Sequence, residues 1–222
     1  MSSDPDVEVR RLAAESGDDP TGWFERLYAA AERGEAVVPW DRGTPHRLLV
    51  QWASERNVDG TGKTALVVGS GPGQDAEFFA RLGFATTAFD VSETAVRGAR
   101  QRFPGSPVRY VTADLLDPPP EWAGAFDLVV ESMTVQSMPE QHRRTAITNV
   151  ARFVGPGGTL VVVAFARDDG PSRDEGPPWP LSRADIDAFA LADIQPVLVE
   201  DLTDAAQPDV HRWRAEFIRP AG

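Results

Sequence analysis

Three glycines and three aspartates carry the clearest chemistry in this sequence. They are the turn Gly69-Ser70-Gly71-Pro72-Gly73, followed by Asp75, Asp90 and Asp114. Glycines let a chain reverse sharply and let a ligand lie against bare backbone. Asp90 falls about 20 residues after the turn, the spacing at which an acid accepts the hydroxyls of a ribose. Asp114 is placed to accept from an adenine amino group, or else it is a solvated loop aspartate. Asp75 would sit in the first turn of a helix, where it complements the helix dipole but repels a pyrophosphate. A cationic sulfonium amino acid suits that acidic neighbourhood better than a dinucleotide does. The plain alternatives are a tight turn without a ligand and an Asp90 that only caps a helix, a task Ser92 already fills.

These residues need a frame, and the hydrophobic pattern supplies one. The apolar run Ala65–Val68 enters the glycine turn, helical spacing follows at Phe78, Phe79 and Leu82, and Ala85–Phe89 ends in Asp90. Strand, glycine turn, helix, strand and acid make half of a nucleotide-binding crevice. Further on, Ser92 to Arg102 reads as a helix, Val108–Thr112 as a strand and Phe126–Glu131 as a buried strand. Pro139–Phe153 reads as a helix closed by Gly155-Pro156-Gly157-Gly158, and Thr159–Phe165 as the most apolar strand. Ser182 opens a helix to about Ala190. Pro196–Leu202 and His211–Ile218 form a final hairpin with a long connection through Gln207-Pro208. Alternating strands and helices imply a doubly wound, mainly parallel α/β sheet, and the final pair an antiparallel edge.

Ahead of the first strand, Met1–Asp6 reads as unstructured, Val7–Ser16 as a short helix, and Gly22–Arg33 as a helix capped by Thr21. Thr44-Pro45 opens another, with proline at its first position. Residues 1–60 thus form a helical cap and 61–222 the core. The segment from Arg167 to Pro180 is too polar for the interior.

Composition narrows the partners. The 222 residues carry a net charge of −12, which repels nucleic acid, and Lys63 is the only lysine. The absence of cysteine removes disulfides and thiolate metal sites, and three scattered histidines show no metal spacing. No apolar stretch reaches membrane-spanning length, so a cytoplasmic protein without nucleic-acid or membrane partners is expected.

The turn Val68–Gly73, Asp90 and Asp114-Leu115 together resemble the motifs of class I S-adenosylmethionine-dependent methyltransferases, over about Trp23 to Pro220. Phe126-Asp127-Leu128-Val129-Val130 is similar to that family's fourth strand and Leu160–Val163 to its fifth. Val38-Pro39-Trp40-Asp41-Arg42-Gly43, Gly73-Gln74-Asp75 and Gly176-Pro177-Pro178-Trp179 resemble the thiopurine, thiol and halide methyltransferase branch. The resemblance implies a Rossmann-like seven-stranded sheet and S-adenosylmethionine as cofactor. It places the cofactor against Tyr28, Trp40, Gly69, Ser70, Gly71, Gly73, Asp75, Asp90, Val91, Ser92, Asp114, Leu115 and Glu131. The acceptor would meet Trp40, Gln136, His142 and Trp179. Many members carry an acid two residues before the first glycine. Here that residue is Val67, so the methionine amino group must find backbone carbonyls or another acid.

Several of these residues have a second reading. Trp40 either pins the cap to the sheet or closes over the sulfonium by cation–π attraction. Glu131 either touches ligand or caps a loop, and His142 reads more readily as a surface residue than as a base. No catalytic base stands out in the sequence. That favours methyl transfer to a small acidic nucleophile, above all a thiol, whose pKa of about 8.5 supplies thiolate unaided. The alternatives are O- or N-methylation of a small metabolite, or a protein of the same fold that holds the cofactor without turnover.

Overall fold

The computed structural model describes residues 5–17, 19–168, 176–191, 193–204 and 207–222. Among them the helices are α1 (Pro5–Ala14), α2 (Gly22–Glu32), α3 (Arg47–Glu55), α4 (Gln74–Arg81), α5 (Glu93–Arg102), α6 (Glu140–Arg152) and α7 (Arg183–Asp187). The strands are β1 (Thr64–Val68), β2 (Ala85–Asp90), β3 (Arg109–Thr112), β4 (Phe126–Ser132), β5 (Val154–Phe165), β6 (Gln195–Asp204) and β7 (Gln207–Ile218). They form one seven-stranded sheet in the order β3-β2-β1-β4-β5-β7-β6. Strands β1 to β5 run parallel, and β7 inserts antiparallel between β5 and β6. This is the doubly wound sheet with an antiparallel edge that the alternation of elements implied.

Period-two alternation divides the core between the two faces of the sheet. Leu66, Val68, Phe89, Val129, Leu160 and Val162 face α6 and the Trp122–Phe153 aromatic group. Ala65, Val67, Ala88, Leu128, Val130 and Val161 face α3, α4 and α5. Because both faces are buried, the strands read as continuous apolar runs. Chain order reverses at β1, with β2 on one side and β4 on the other, so a crevice opens beyond their carboxyl ends. Register brings the ends together: Val68 lies beside Phe89 and Glu131, and Asp90 beside Thr112.

The first 60 residues divide between two cores. Val9 and Leu12 of α1 join Trp23 and Leu27 of α2 in a small separate cluster, with Trp40 against it. Leu48, Leu49, Trp52 and Ala53 of α3 belong instead to the core of the sheet.

Local chemistry moved several boundaries. Pro45 precedes α3 rather than opening it, because His46 is the N-cap and its Nδ1 accepts from Leu48 N at 3.2 Å. Thr21 makes no side-chain cap on α2. Asp19 Oδ1 does that work, accepting from Thr21 N at 3.1 Å and Gly22 N at 2.8 Å. The Gly155–Gly158 segment lies within β5, where the pairing with β4 shifts register between Phe126 and Leu128. Strand pairing of β6 with β7 extends to Asp204 and Gln207, which replaces the long connection expected there. Pro5 and Asp6 already belong to α1. Residues 1–4 of the expected unstructured start, and 169–175 of the polar segment, lie outside the described residues. Among the described residues, no helix is long and apolar enough to cross a membrane.

Candidate functional site

The glycine turn sits at the mouth of the crevice. Gly71 takes φ +48°, and a Cβ there would stand 2.8 Å from the Tyr28 hydroxyl. Glycine is therefore required twice over, by the left-handed backbone and by the ring closing over it. Ser70 N donates to Phe89 O at 2.8 Å, which fastens the turn to β2. Asp90 then locks it. Its Oδ2 accepts from Gly71 N at 2.9 Å and its Oδ1 from Ser92 N at 2.9 Å. A carboxylate has about four acceptor positions, so Asp90 keeps capacity for a ligand's hydroxyls.

Electrostatics separate this acid from an ordinary one. Asp90 is 6% exposed. Burial pushes its carboxyl up to about 6 against the pull of the Ser92 and Gly71 amides, and the nearby Glu25 charge raises it further. Asp75 is also raised by burial, although it accepts from His46 N at 2.7 Å and from the Ser132 side chain. Neither carboxylate has a cationic partner among the described residues. Two desolvated, uncompensated carboxylates facing one cavity are costly, and a cationic ligand would relieve both.

Aromatic rings from α2 and the loop that follows it line that cavity. Trp40 Nε1 donates to Tyr28 Oη at 2.7 Å. The Trp40 ring meets Trp23, Phe24 and Tyr28 edge-on, with centroids 6.1, 6.3 and 6.1 Å away. Trp40 thus packs in the cap and also lines the cavity. Polar ties hold its loop down: Asp41 accepts from Arg102 at 2.8 and 2.7 Å and from Gln74 Nε2 at 2.9 Å. Glu25 of α2 joins the start of α5, accepting from Ser92 Oγ at 2.6 Å and from Thr94 N and Oγ1 at 3.1 and 2.5 Å.

The cavity encloses about 560 Å³. Gly69, Ser70, Gly71, Asp75, Asp90, Val91, Asp114 and Leu115 line it from the sheet side, with Tyr28 and Trp40 on the cap side. Ser70 Oγ is buried there without a hydrogen-bond partner. Asp114 Oδ1 accepts from Leu116 N at 2.8 Å, so its loop is self-braced. Gln136 lines the wall and also splints it, its Oε1 accepting from Phe165 N at 2.6 Å and its carbonyl from Trp179 N at 2.7 Å.

Other expected residues lie outside the lining. Gly73 is the N-cap of α4, where a Cβ would stand 2.6 Å from the Tyr110 hydroxyl. Ser92 caps α5 through Ala95 N at 3.0 Å. Glu131 is fully buried beneath the crevice, its Oε1 accepting from Thr134 N and Val135 N, both at 2.8 Å. Its Oε2 has no partner, and burial pushes its carboxyl up to about 7. His142 stands on the first turn of α6, away from the cavity. Trp179 contributes its backbone, while Pro177 and Pro178 supply the lining from that segment.

The structure also brings in residues that the motifs did not mark: Thr44, His46, Met133 and Phe165. His46 is the most altered of them. Burial, then the charges of Arg42, Arg212 and Arg47, lower its imidazole to about 4. The sequence held one signal for it, a polar residue just before an apolar helical run, and that signal speaks of capping only. No cluster among the described residues could hold a metal ion.

Comparison with known proteins agrees with this geometry. Residues 65–158 match the methyltransferase domain family. The ubiquinone biosynthesis O-methyltransferase of Xanthomonas axonopodis is 31% identical over 192 residues, covering 82% of this chain and 70% of that protein. Thiocyanate methyltransferase 1 of Brassica oleracea is 24% identical over 182 residues, 80% of this chain and 74% of its own. Matches to uncharacterized methyltransferases of Mycobacterium tuberculosis and Mycobacterium bovis reach 37% identity, and there the chain spans about half of the relatives' length (49%). Among solved structures, a 1,6-didemethyltoxoflavin-N1-methyltransferase of Burkholderia thailandensis shares the fold at a TM-score of 0.65 and 15% identity, over 96% of this chain and 88% of its own. A sheet of this order, and identity sustained across most of two chains, lead to one assignment: the chain belongs to the class I S-adenosylmethionine-dependent methyltransferases.

Proposed function

We propose that this protein binds S-adenosylmethionine in the crevice beyond β1 and transfers its methyl group to a small acidic nucleophile, in the first place a thiol. The observation that carries the cofactor reading is the pair of uncompensated carboxylates, Asp90 and Asp75, facing one cavity. Asp90 would accept the ribose hydroxyls, with Val91 beside it and Asp114-Leu115 on the adenine side. Asp75 would meet the methionine ammonium, taking the role that Val67 cannot fill. Gly69, Ser70 and Gly71 present backbone and an unpartnered hydroxyl to the same ligand. When bound, S-adenosylmethionine supplies a methyl group already activated on a sulfonium. Tyr28 and Trp40 cover that position, exclude water and offer ring faces to the positive charge. Helices α1 and α2 with the Trp40 loop act as the cap, and residues 61–222 with α3 as the binding core.

Two carboxylates of the cavity wall are already engaged in hydrogen bonds. Asp41 is engaged by Arg102, and Asp75 by His46 N and Ser132. A nucleophile that ionises unaided is then the best substrate, and at pH 7.5 about one tenth of an ordinary thiol is thiolate. The name of the thiocyanate methyltransferase relative supports a soft sulfur acceptor. The O-methyltransferase with higher identity favours a second reading, an acidic hydroxyl such as a phenol. A methyl-transfer panel of thiols, phenols, amines and halides with labelled cofactor tests both. Transfer to thiols at rates that follow thiolate fraction is expected; transfer confined to amines would refute the proposal. Asp90→Ala should weaken S-adenosylhomocysteine binding by at least about tenfold in calorimetry.

A further inference from the structure

His46 lines the cavity, yet beyond capping α3 its side chain has no part in the cofactor and acceptor roles above. It is held at both ends. Its backbone N donates to Asp75 Oδ1 at 2.7 Å, and its Nδ1 accepts from Leu48 N at 3.2 Å. A neutral imidazole has one accepting and one donating nitrogen, so a ring whose Nδ1 accepts carries its proton on Nε2. Nδ1 is turned to the start of α3, which leaves Nε2 on the opposite edge of the ring. Arg42 of the Trp40 loop lines the same cavity, and its charge, with those of Arg212 on β7 and Arg47 on α3, disfavours a proton on the ring. The acidic neighbour is Asp75 of α4, which binds the His46 backbone rather than the ring.

We propose that His46 is the hydrogen-bond donor for the methyl acceptor, its Nε2–H holding a nucleophile that has lost its proton before it enters the site. Resting on the methyl-transfer reading, this defines the substrate class further. A ring in this tautomer has no lone pair free to take a proton, so it rejects the part of general base. It stabilises an anion instead, and Arg42, which lines the same cavity, favours the same charge. Thiolates and phenolates meet these conditions; aliphatic alcohols and protonated amines do not.

His46→Asn separates the two nitrogens of the ring. Asparagine is a good N-cap and keeps an acceptor near the position of Nδ1, but it places nothing where Nε2 stands. The probes are 4-nitrothiophenolate and 4-nitrophenolate, titrated by their visible absorbance into the complex with S-adenosylhomocysteine. At least about tenfold weaker binding of the anion is expected in His46→Asn, the loss of one hydrogen bond to a charged group. The affinity for S-adenosylhomocysteine should stay unchanged. Equal anion binding by wild type and variant, or no binding of either anion by wild type, would overturn the role of His46. Binding of the phenolate alone, still weakened by the substitution, would sink the thiol preference and leave His46 standing. Long-range 1H–15N spectra of the ring give a readout without turnover. They should show protonated Nε2 and bare Nδ1 from pH 5.5 to 8, and a proton on Nδ1 would overturn the proposal whatever the activity.

Discussion

Glu131→Gln should gain stability relative to wild type as pH rises from 5.5 to 8. The glutamate is buried beneath the crevice with no exposed surface, and one oxygen, Oε1, accepts both loop amides. Glutamine keeps that oxygen and puts an amide nitrogen where Oε2 has no partner. Only the charge is removed. In the folded chain the carboxyl titrates at about 7, against an ordinary value of 4.5. A raised carboxyl favours the folded state while protonated, and that advantage is lost as pH rises from 4.5 through 7. Between pH 5.5 and 8 the loss amounts to about 2 kcal/mol. The unpartnered glutamine nitrogen costs the same at every pH, so it cancels from the difference. Asp90, which is raised as well, is present in both proteins and cancels too. Urea unfolding of wild type and variant at half-unit steps of pH measures the quantity directly. The stability of the variant relative to wild type should climb by about 2 kcal/mol across that range. A flat difference would show that water or a cation compensates the Glu131 charge, and the account of it as an isolated buried carboxylate would fail.

Two further perturbations test the cap. Gly71→Ala places a methyl 2.8 Å from Tyr28 Oη and 3.5 Å from Trp40 Nε1 on a backbone at φ +48°. The left-handed conformation costs ~1–2 kcal/mol for alanine, and the Tyr28–Trp40 pair must shift. The melting temperature should fall, and S-adenosylhomocysteine affinity by at least about tenfold; an unaltered affinity would separate the aromatic lid from cofactor binding. Asp41→Asn breaks the paired contacts with Arg102, whose side chains are 27% and 42% exposed. Unfolding in urea should register only ~0.5–1 kcal/mol. Cofactor dissociation, followed by stopped flow, should quicken several-fold because the Trp40 loop is untied, and an unchanged rate would leave that tie with no part in closure.

Local pattern determined the strand, the glycine turn and the acid that ends β2, because each depends on near neighbours. Backbone at positive φ selects Gly71, and the end of an apolar run selects Asp90, with no distant residue needed. Alternation of strands and helices determined the parallel sheet in the same way, and the last two apolar runs its antiparallel edge. The wall of the cavity was a different matter. Arg42 with His46, Phe165 and Pro177 come from three separate segments, and only the crossing of α3, β5 and the Trp40 loop brings them together. Glu131 shows the limit most plainly. An acid at a strand end reads as ligand-facing, but β4 is buried on both faces and apolar residues on either side cannot say which way the pleat turns. Packing turned Glu131 inward to the amides of Thr134 and Val135, and put Ser132, one residue on, at the cavity. Sequence periodicity fixes that neighbouring strand residues point oppositely; only the assembled sheet decides which of the two meets the ligand.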